Sequence, residues 1–355
     1  MKTSNGMKKE TPKLFMLSFN PKQVVKRLLS SLPARAQDVI VGRFGLNQSG
    51  DEMTLESIGK KYGITRERVR QIENYAINHV RKANTYEKES VVFDELKNTI
   101  NKMGGVISED DLLNSLGKDT VTKKYIHFLL VVGDDFNKIK EDVEFKHRWH
   151  VDKNLSDKIH EALQKLYAQL GDDEIIPESE IVSSFLEHLK EVSNEYKQDE
   201  ILTRWLSISK NIAKNPLGEW GKSKSSNIKT KGVRDYAYLI LRRHGSPIHF
   251  REVAKLISEV FKKKAHVATT HNELIKDPRF VLVGRGLYAL KEWGYSTGVV
   301  RDVIREILEK NGPLSKEQIL EKVMKERYVK ANTVMVNLQN PKYFKKNKQG
   351  LYTVA

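Results

Sequence analysis

Arg66, Glu67, Arg70 and Gln71 fall within six consecutive positions, and each side chain matches part of a base-pair edge. Arginine donates a bidentate pair to guanine, glutamine pairs with adenine, and glutamate accepts from cytosine. Helical spacing of i, i+4 and i+7 puts Arg66, Arg70 and Glu73 on one side, with Glu67 and Gln71 beside them and Val69, Ile72, Ala76 and Val80 facing inward. A salt-bridged, solvated helix would use the same residues. The elements that must position this set are legible. Thr54 to Tyr62 predicts one amphipathic helix, Gly63-Ile64 a turn, and Thr65 the cap of a second helix from Arg66 to about Lys82. That order is a helix-turn-helix.

Other chemistry is thinner. Asp135 with Glu144 and Lys146 has the residue types by which nucleases hold magnesium and activate water, but the segment reads equally well as a charged hairpin in an acidic stretch. His147 and His150 lie three apart with no evident third ligand, so no metal is expected. There is no P-loop, Gly-x-Ser-x-Gly or dinucleotide fingerprint, and Gly284-Arg285-Gly286 is hairpin chemistry. The absence of cysteine excludes disulfides, thiolate metal sites and a thiol nucleophile. The expectation is a binding protein, with no cofactor and no catalytic residue.

Charge names the partner class. Among 355 residues, 62 Lys and Arg stand against 46 Asp and Glu, a net charge of +16. Residues 1–85 carry +9, 86–200 carry −11, 201–230 carry +5 and 231–355 carry +13. Two basic blocks flank an acidic one, which suits ends that meet phosphate and a middle that does not. Double-stranded DNA is the expected partner. No apolar run approaches the roughly 18 residues of a membrane span, so a membrane partner is not expected and the chain reads as cytoplasmic.

A short signal recurs at Gly104-Gly105-Val106-Ile107-Ser108, Asp173-Glu174-Ile175-Ile176-Pro177, Gly245-Ser246-Pro247-Ile248-His249 and Gly312-Pro313-Leu314-Ser315-Lys316, with starts 69, 72 and 67 residues apart. Each follows a helical period and precedes a second helix, most clearly where Ser315 and Gln318 form a capping box. A third helix and a hairpin follow, as in Phe280 to Leu290 and Tyr343 to Val354. Three helices and a two-stranded wing make a winged helix. The wing lysines Lys345, Lys346 and Lys348 suit a phosphate backbone, and equally suit protection of an exposed edge strand.

Leu32-Pro33-Ala34-Arg35, then Val41-Gly42-Arg43-Phe44-Gly45-Leu46, Thr54-Leu55-Glu56-Ser57-Ile58-Gly59 and Thr65-Arg66-Glu67-Arg68-Val69-Arg70-Gln71-Ile72-Glu73, resemble domain 4 of bacterial housekeeping sigma factors. The resemblance covers roughly residues 24 to 83. It implies that Arg66, Glu67, Arg70 and Gln71 read base edges of a −35 type element, and that the flap of the RNA polymerase β subunit is a partner. Lys60, Lys61 and Arg68 follow as backbone candidates from charge alone. The upstream domains by which a complete sigma factor opens promoters have no room in this chain, so melting is not implied. Val233 to Trp293, with Gly-Ser-Pro-Ile-His-Phe-Arg-Glu-Val at 245 to 253, is similar to the HARE-type winged helix, also found in the polymerase delta subunit.

The expected fold is mainly α with small β wings. A flexible tail is expected at 1–23, a sigma-domain-4-like helix-turn-helix at 24–85, and an acidic winged-helix-like unit at 86–152. A further such unit is expected at 153–230, with a linker at Gly221 to Asn227, then a HARE-type winged helix at 231–295 and a last winged helix at 296–355. Two alternatives stay open: a delta-like polymerase-associated factor with non-specific nucleic-acid binding, and a restriction-type nuclease.

Overall fold

Asn20 opens the first helix. Its side chain accepts from the backbone N–H groups of Lys22 and Gln23 at 3.0 and 3.4 Å, and Pro21 stands in the first turn, where no donor is needed. The computed structural model describes residues 15–189, 192–295 and 298–355. Of the tail expected at 1–23, residues 1–14 lie outside the described residues. Residues 15–23 depart from the expectation: the Phe15 N–H donates to the Ser115 carbonyl at 2.8 Å, the Ser18 N–H donates to Glu95 at 2.7 Å, and Phe15, Leu17 and Phe19 pack on a core. Three apolar side chains in five residues hold this strap down.

The chain is mainly helical, with small antiparallel sheets. After helices Pro21–Leu29, Ala34–Phe44, Leu55–Tyr62 and Arg66–Lys82, one order of elements recurs. Helix Ser90–Lys102 leads to strand Val106–Ser108, helices Glu109–Leu116 and Thr120–Val132, and strands Asn137–Ile139 and Arg148–His150. The first short strand pairs with the last, Val106 opposite His150, and the last pairs with the middle one, Lys138 opposite Trp149. The same order runs through helices Lys153–Gln169, Glu178–Glu187 and Asp199–Leu206, where a bridge from Ile176 to Trp220 replaces the first strand. It returns in helices Val233–His244, Phe250–Phe261 and Val267–Lys276 with strands Ile248–His249, Phe280–Gly284 and Leu287–Leu290. It closes with helices Val300–Asn311, Lys316–Glu326 and Ala331–Leu338 and strands Phe344–Lys346 and Tyr352–Val354, bridged by Leu314 and Tyr352.

Two compact bodies result, one of residues 15–213 with 220–224 and the other of 214–219 with 225–355. In the first body the expected division at residue 85 does not separate two cores. Val24, Val25, Leu28, Ile40, Phe44, Ala76 and Val80 share one buried cluster with Leu96, Ile100, Ile126, Phe128, Leu129 and Trp149. The cause lies in helix Thr120–Val132, whose buried residues Tyr125, Ile126, Phe128, Leu129, Leu130 and Val132 surround its axis. A helix apolar all round must be covered all round. Its own unit covers one side and helix Pro21–Leu29 takes another.

The segment expected as a linker is built in as well. Gly221 and Lys222 belong to strand Trp220–Lys222, and Ser225 and Asn227 are buried, because their polar groups serve the backbone: the Asn227 N–H donates to Ser225 Oγ at 3.2 Å, and its carbonyl accepts from Asn215 Nδ2 at 3.4 Å. In the second body the Tyr328 N–H donates to the Val283 carbonyl at 2.7 Å, and Arg327 donates to the carbonyls of Leu282 and Gly298. The last two units are thereby joined at the backbone.

Candidate nucleic-acid interface

Two threonines start the two helices of the motif. Thr54 Oγ1 accepts from the Ser57 N–H at 3.1 Å, and Thr65 Oγ1 accepts from the Arg68 N–H at 3.2 Å. Between them Gly63 takes φ +65°, the left-handed conformation that stops the first helix. Gly59 is required for a different reason: a Cβ there would lie 2.6 Å from the Ile64 carbonyl oxygen, so any side chain would push the turn off the helix. Val39, Ile58 and Val69 form a small buried cluster beneath the pair.

This frame presents Arg66, Glu67, Arg70 and Gln71 to solvent on the first turns of a 17-residue helix, as expected from their spacing. They are not idle. Arg70 Nε and Nη2 donate to Glu67 at 2.9 and 2.6 Å, and Arg68 Nη1 donates to Gln71 Oε1 at 3.0 Å. The Arg70 guanidinium holds the Glu67 carboxyl below the usual carboxylate range, and Glu67 in turn raises Arg70. Both partners are exposed, so the pair exchanges readily for contacts of the same kind with a ligand.

Glu73 departs from the expected face. It is drawn inward, its carboxylate 3.6 Å from Arg43 Nε, and burial pushes its carboxyl up while Arg43 opposes the shift. Seven residues is about two turns, which carries position 73 back from Arg66 toward the buried stripe of Val69, Ala76 and Val80. The residues that do extend the exposed stripe are Asn74 and Asn78, seven and eleven positions on from Glu67. Counting forward from Glu67 rather than from Arg66 is the signal that finds them.

The backbone candidates divide. Lys60 pairs with Glu56 at 2.9 Å, and Lys61 lies 3.9 Å from Asp38 and over the Tyr62 ring at 5.1 Å. Lys345 and Lys346 stand exposed on strand Phe344–Lys346, with Lys346 over the Tyr352 ring at 4.9 Å, and Lys348 is exposed in the turn. The Asn347 side chain accepts from the Gln349 and Leu351 N–H groups at 3.0 and 2.9 Å and shapes that turn. The helix-turn-helix residues fall in the first body and these three lysines in the second.

The acidic candidates are engaged locally. Asp135 accepts from Lys97 Nζ at 2.8 Å, Glu144 accepts from Gln164 Nε2 at 2.6 Å, and His147 Nδ1 accepts from the Glu141 N–H at 2.9 Å. Among the described residues no group of three His, Asp or Glu side chains is arranged to hold a metal ion. No helix among them is long and apolar enough to cross a membrane.

Residues 28–82 match the family model described as Sigma-70, region 4. Over this region the chain is similar to the RNA polymerase sigma factor RpoS of Coxiella burnetii, with 40% identity over 73 residues, 21% of this chain and 20% of that protein. It is also similar to the RNA polymerase sigma factor RpoD of Helicobacter pylori, 47% identical over 60 residues, 17% of this chain and 9% of that one. A third relative is the RNA polymerase sigma factor SigA of a Bacillus species, 43% identical over 60 residues, 17% of this chain and 16% of its own length. The chain thus carries a sigma-70 region 4 domain at its N-terminal end, and the match spans a fifth or less of these relatives.

Proposed function

We propose that this chain is a DNA-binding transcription factor of the cytoplasm that reads −35 type duplex DNA through helix Arg66–Lys82 and docks on RNA polymerase, with the β flap as its contact. The observation that carries the reading is the match of residues 28–82 to sigma-70 region 4, coinciding with a capped helix-turn-helix whose exposed face holds Arg66, Glu67, Arg70 and Gln71. The downstream units act as winged helices, the one at 231–295 of HARE type. Lys60, Lys61, Arg68, Lys345, Lys346 and Lys348 meet the phosphate backbone, which positions the protein without reading sequence. The chain acts by binding rather than catalysis.

Selection of duplexes from a random pool, followed by protection mapping and capture of RNA polymerase core enzyme, tests this. The expected outcome is an enriched −35 type element protected over a few base pairs, together with retained polymerase. The basic second body favours one other reading, a delta-like factor that binds nucleic acid without selectivity. Salt-steep binding with no enriched element would establish that reading instead.

A further inference from the structure

The helix that presents Arg66 to Gln71 is anchored at its far end. Beneath the presenting end lies the small cluster of Val39, Ile58 and Val69, with Met53, Leu55, Ile64 and Ile72 partly buried against it, whereas Ala76 and Val80 enter the large shared core. At the last turn Arg81 Nε donates to the Val132 carbonyl and Nη2 to the Val131 carbonyl, each at 2.9 Å. These are carbonyls that helix Thr120–Val132 leaves without partners at its C-terminus, where a cation is also favoured by the helix dipole. Two further points tie the same helix to the motif: Tyr125 donates its hydroxyl to the Leu46 carbonyl at 2.9 Å in a buried position, and Lys124 pairs with Glu52. The Phe44 ring stands edge-on to Phe128 at 5.1 Å between them.

A guanidinium fork on two carbonyls fixes distance and rotation together, which a single ammonium does not. From Arg81 back to Arg66 the helix runs about 22 Å, so a tilt of about 5° at the anchor moves the presenting end by about 2 Å. That displacement takes a bidentate pair out of hydrogen-bond range.

We propose that residues 90–150 belong to the DNA-reading apparatus as a platform that aims the recognition helix, and that Arg81 is the positioning residue coupling the two. This rests on the reading of Arg66–Lys82 as the DNA-reading helix. The test uses the full chain with Arg81→Lys and Arg81→Gln, titrated against a selected duplex and a scrambled one over a range of salt. Amide exchange is followed in the free proteins. Both variants lose preference for the selected duplex by about ten-fold, within the range of one bidentate base contact. Their salt slope stays that of the parent, and exchange quickens at 76–82 and 129–132.

Wild-type selectivity in R81K, with a salt slope lowered by about one in R81Q, overturns the assignment in favour of a direct phosphate contact. Unaltered preference in both variants beside faster exchange overturns it in favour of a structural role alone. A parent chain with no preference between duplexes removes the DNA-reading role of the helix itself, and the assignment with it. Should R81Q fail to fold, Tyr125→Phe, which deletes only the hydroxyl given to Leu46, replaces it. Reduced preference then supports the platform, and unchanged preference overturns it.

Discussion

Helix Arg66–Lys82 in the first body and helix Ala331–Leu338 in the second each follow a partner helix and a short connection, yet their exposed faces differ in kind. The first offers Arg66, Glu67, Arg70 and Gln71; the second offers Asn332, Thr333 and Val336 and carries no charge. In that last unit three exposed cations, Lys345, Lys346 and Lys348, stand instead on the strand Phe344–Lys346 and its turn. A charged helix meets base edges and phosphate together, while a charged hairpin beside a neutral helix supplies attraction without discrimination. On the proposed function, selectivity would fall to the first body and salt-dependent grip to the second.

The largest effect tests whether the helix-turn-helix is one fold with its neighbour. Phe128→Ala should cost about 3–5 kcal/mol, as for a fully buried aromatic, and should loosen residues 21–82 and 90–150 together in amide exchange. Full protection of 21–82 in that variant would separate the two and break the shared core. Arg70→Ala comes next. It should weaken the selected duplex by about 1–3 kcal/mol and spare random DNA, whereas Asn332→Ala should leave preference untouched. Equal loss on both duplexes in R70A would remove the contrast between the helices.

Changing Lys345, Lys346 and Lys348 together to Gln should lower the magnitude of the log affinity against log salt slope by up to about 3 without altering sequence preference. An unchanged slope in a folded monomer would leave these lysines as edge protection only. The smallest effect is a pH dependence confined to the first body. Burial, aided by Arg148 whose Nε donates to His160 Nε2 at 2.7 Å, lowers His160 to about 4, against opposing pulls from Asp157 and Asp142 and a further push from His150. Its unfolded form binds a proton near pH 6.5, so the folded state holds fewer protons between about 6.5 and 4. Stability from this group is full above that window and falls as pH drops through it. His160→Gln should flatten the decline of Tm between pH 7 and 5, and an identical decline in both proteins would place its origin elsewhere.

Much of this was legible because local chemistry and tertiary role agree. Thr54, Thr65 and the Ser315–Gln318 capping box start helices where their types predict, and Val69, Ala76 and Val80 are buried where their spacing puts them. The strands Val106–Ser108 and Ile248–His249 were hidden inside turn signals, since two or three residues are too few to show an alternation. The fusion of the motif with the acidic unit was also hidden. Tyr125 to Val132 is a nearly unbroken apolar run, but a run states only that it must be covered, not by which helix. Nor does spacing reveal that Glu67 and Arg70 satisfy each other in the unbound chain, since a base edge would hold the same groups.

The placement of the tryptophans has a spectroscopic consequence. Trp149, Trp205 and Trp220 are buried in the first body, and the fourth, Trp293, is half-buried in the second. Indole emission moves to the red when the ring meets water, so intrinsic fluorescence of this chain reports mostly on the body that carries the helix-turn-helix, while circular dichroism sums the helices of both. Melting curves from the two probes coincide when the bodies unfold as one, and their separation measures how independently the first body and the basic second body lose their structure.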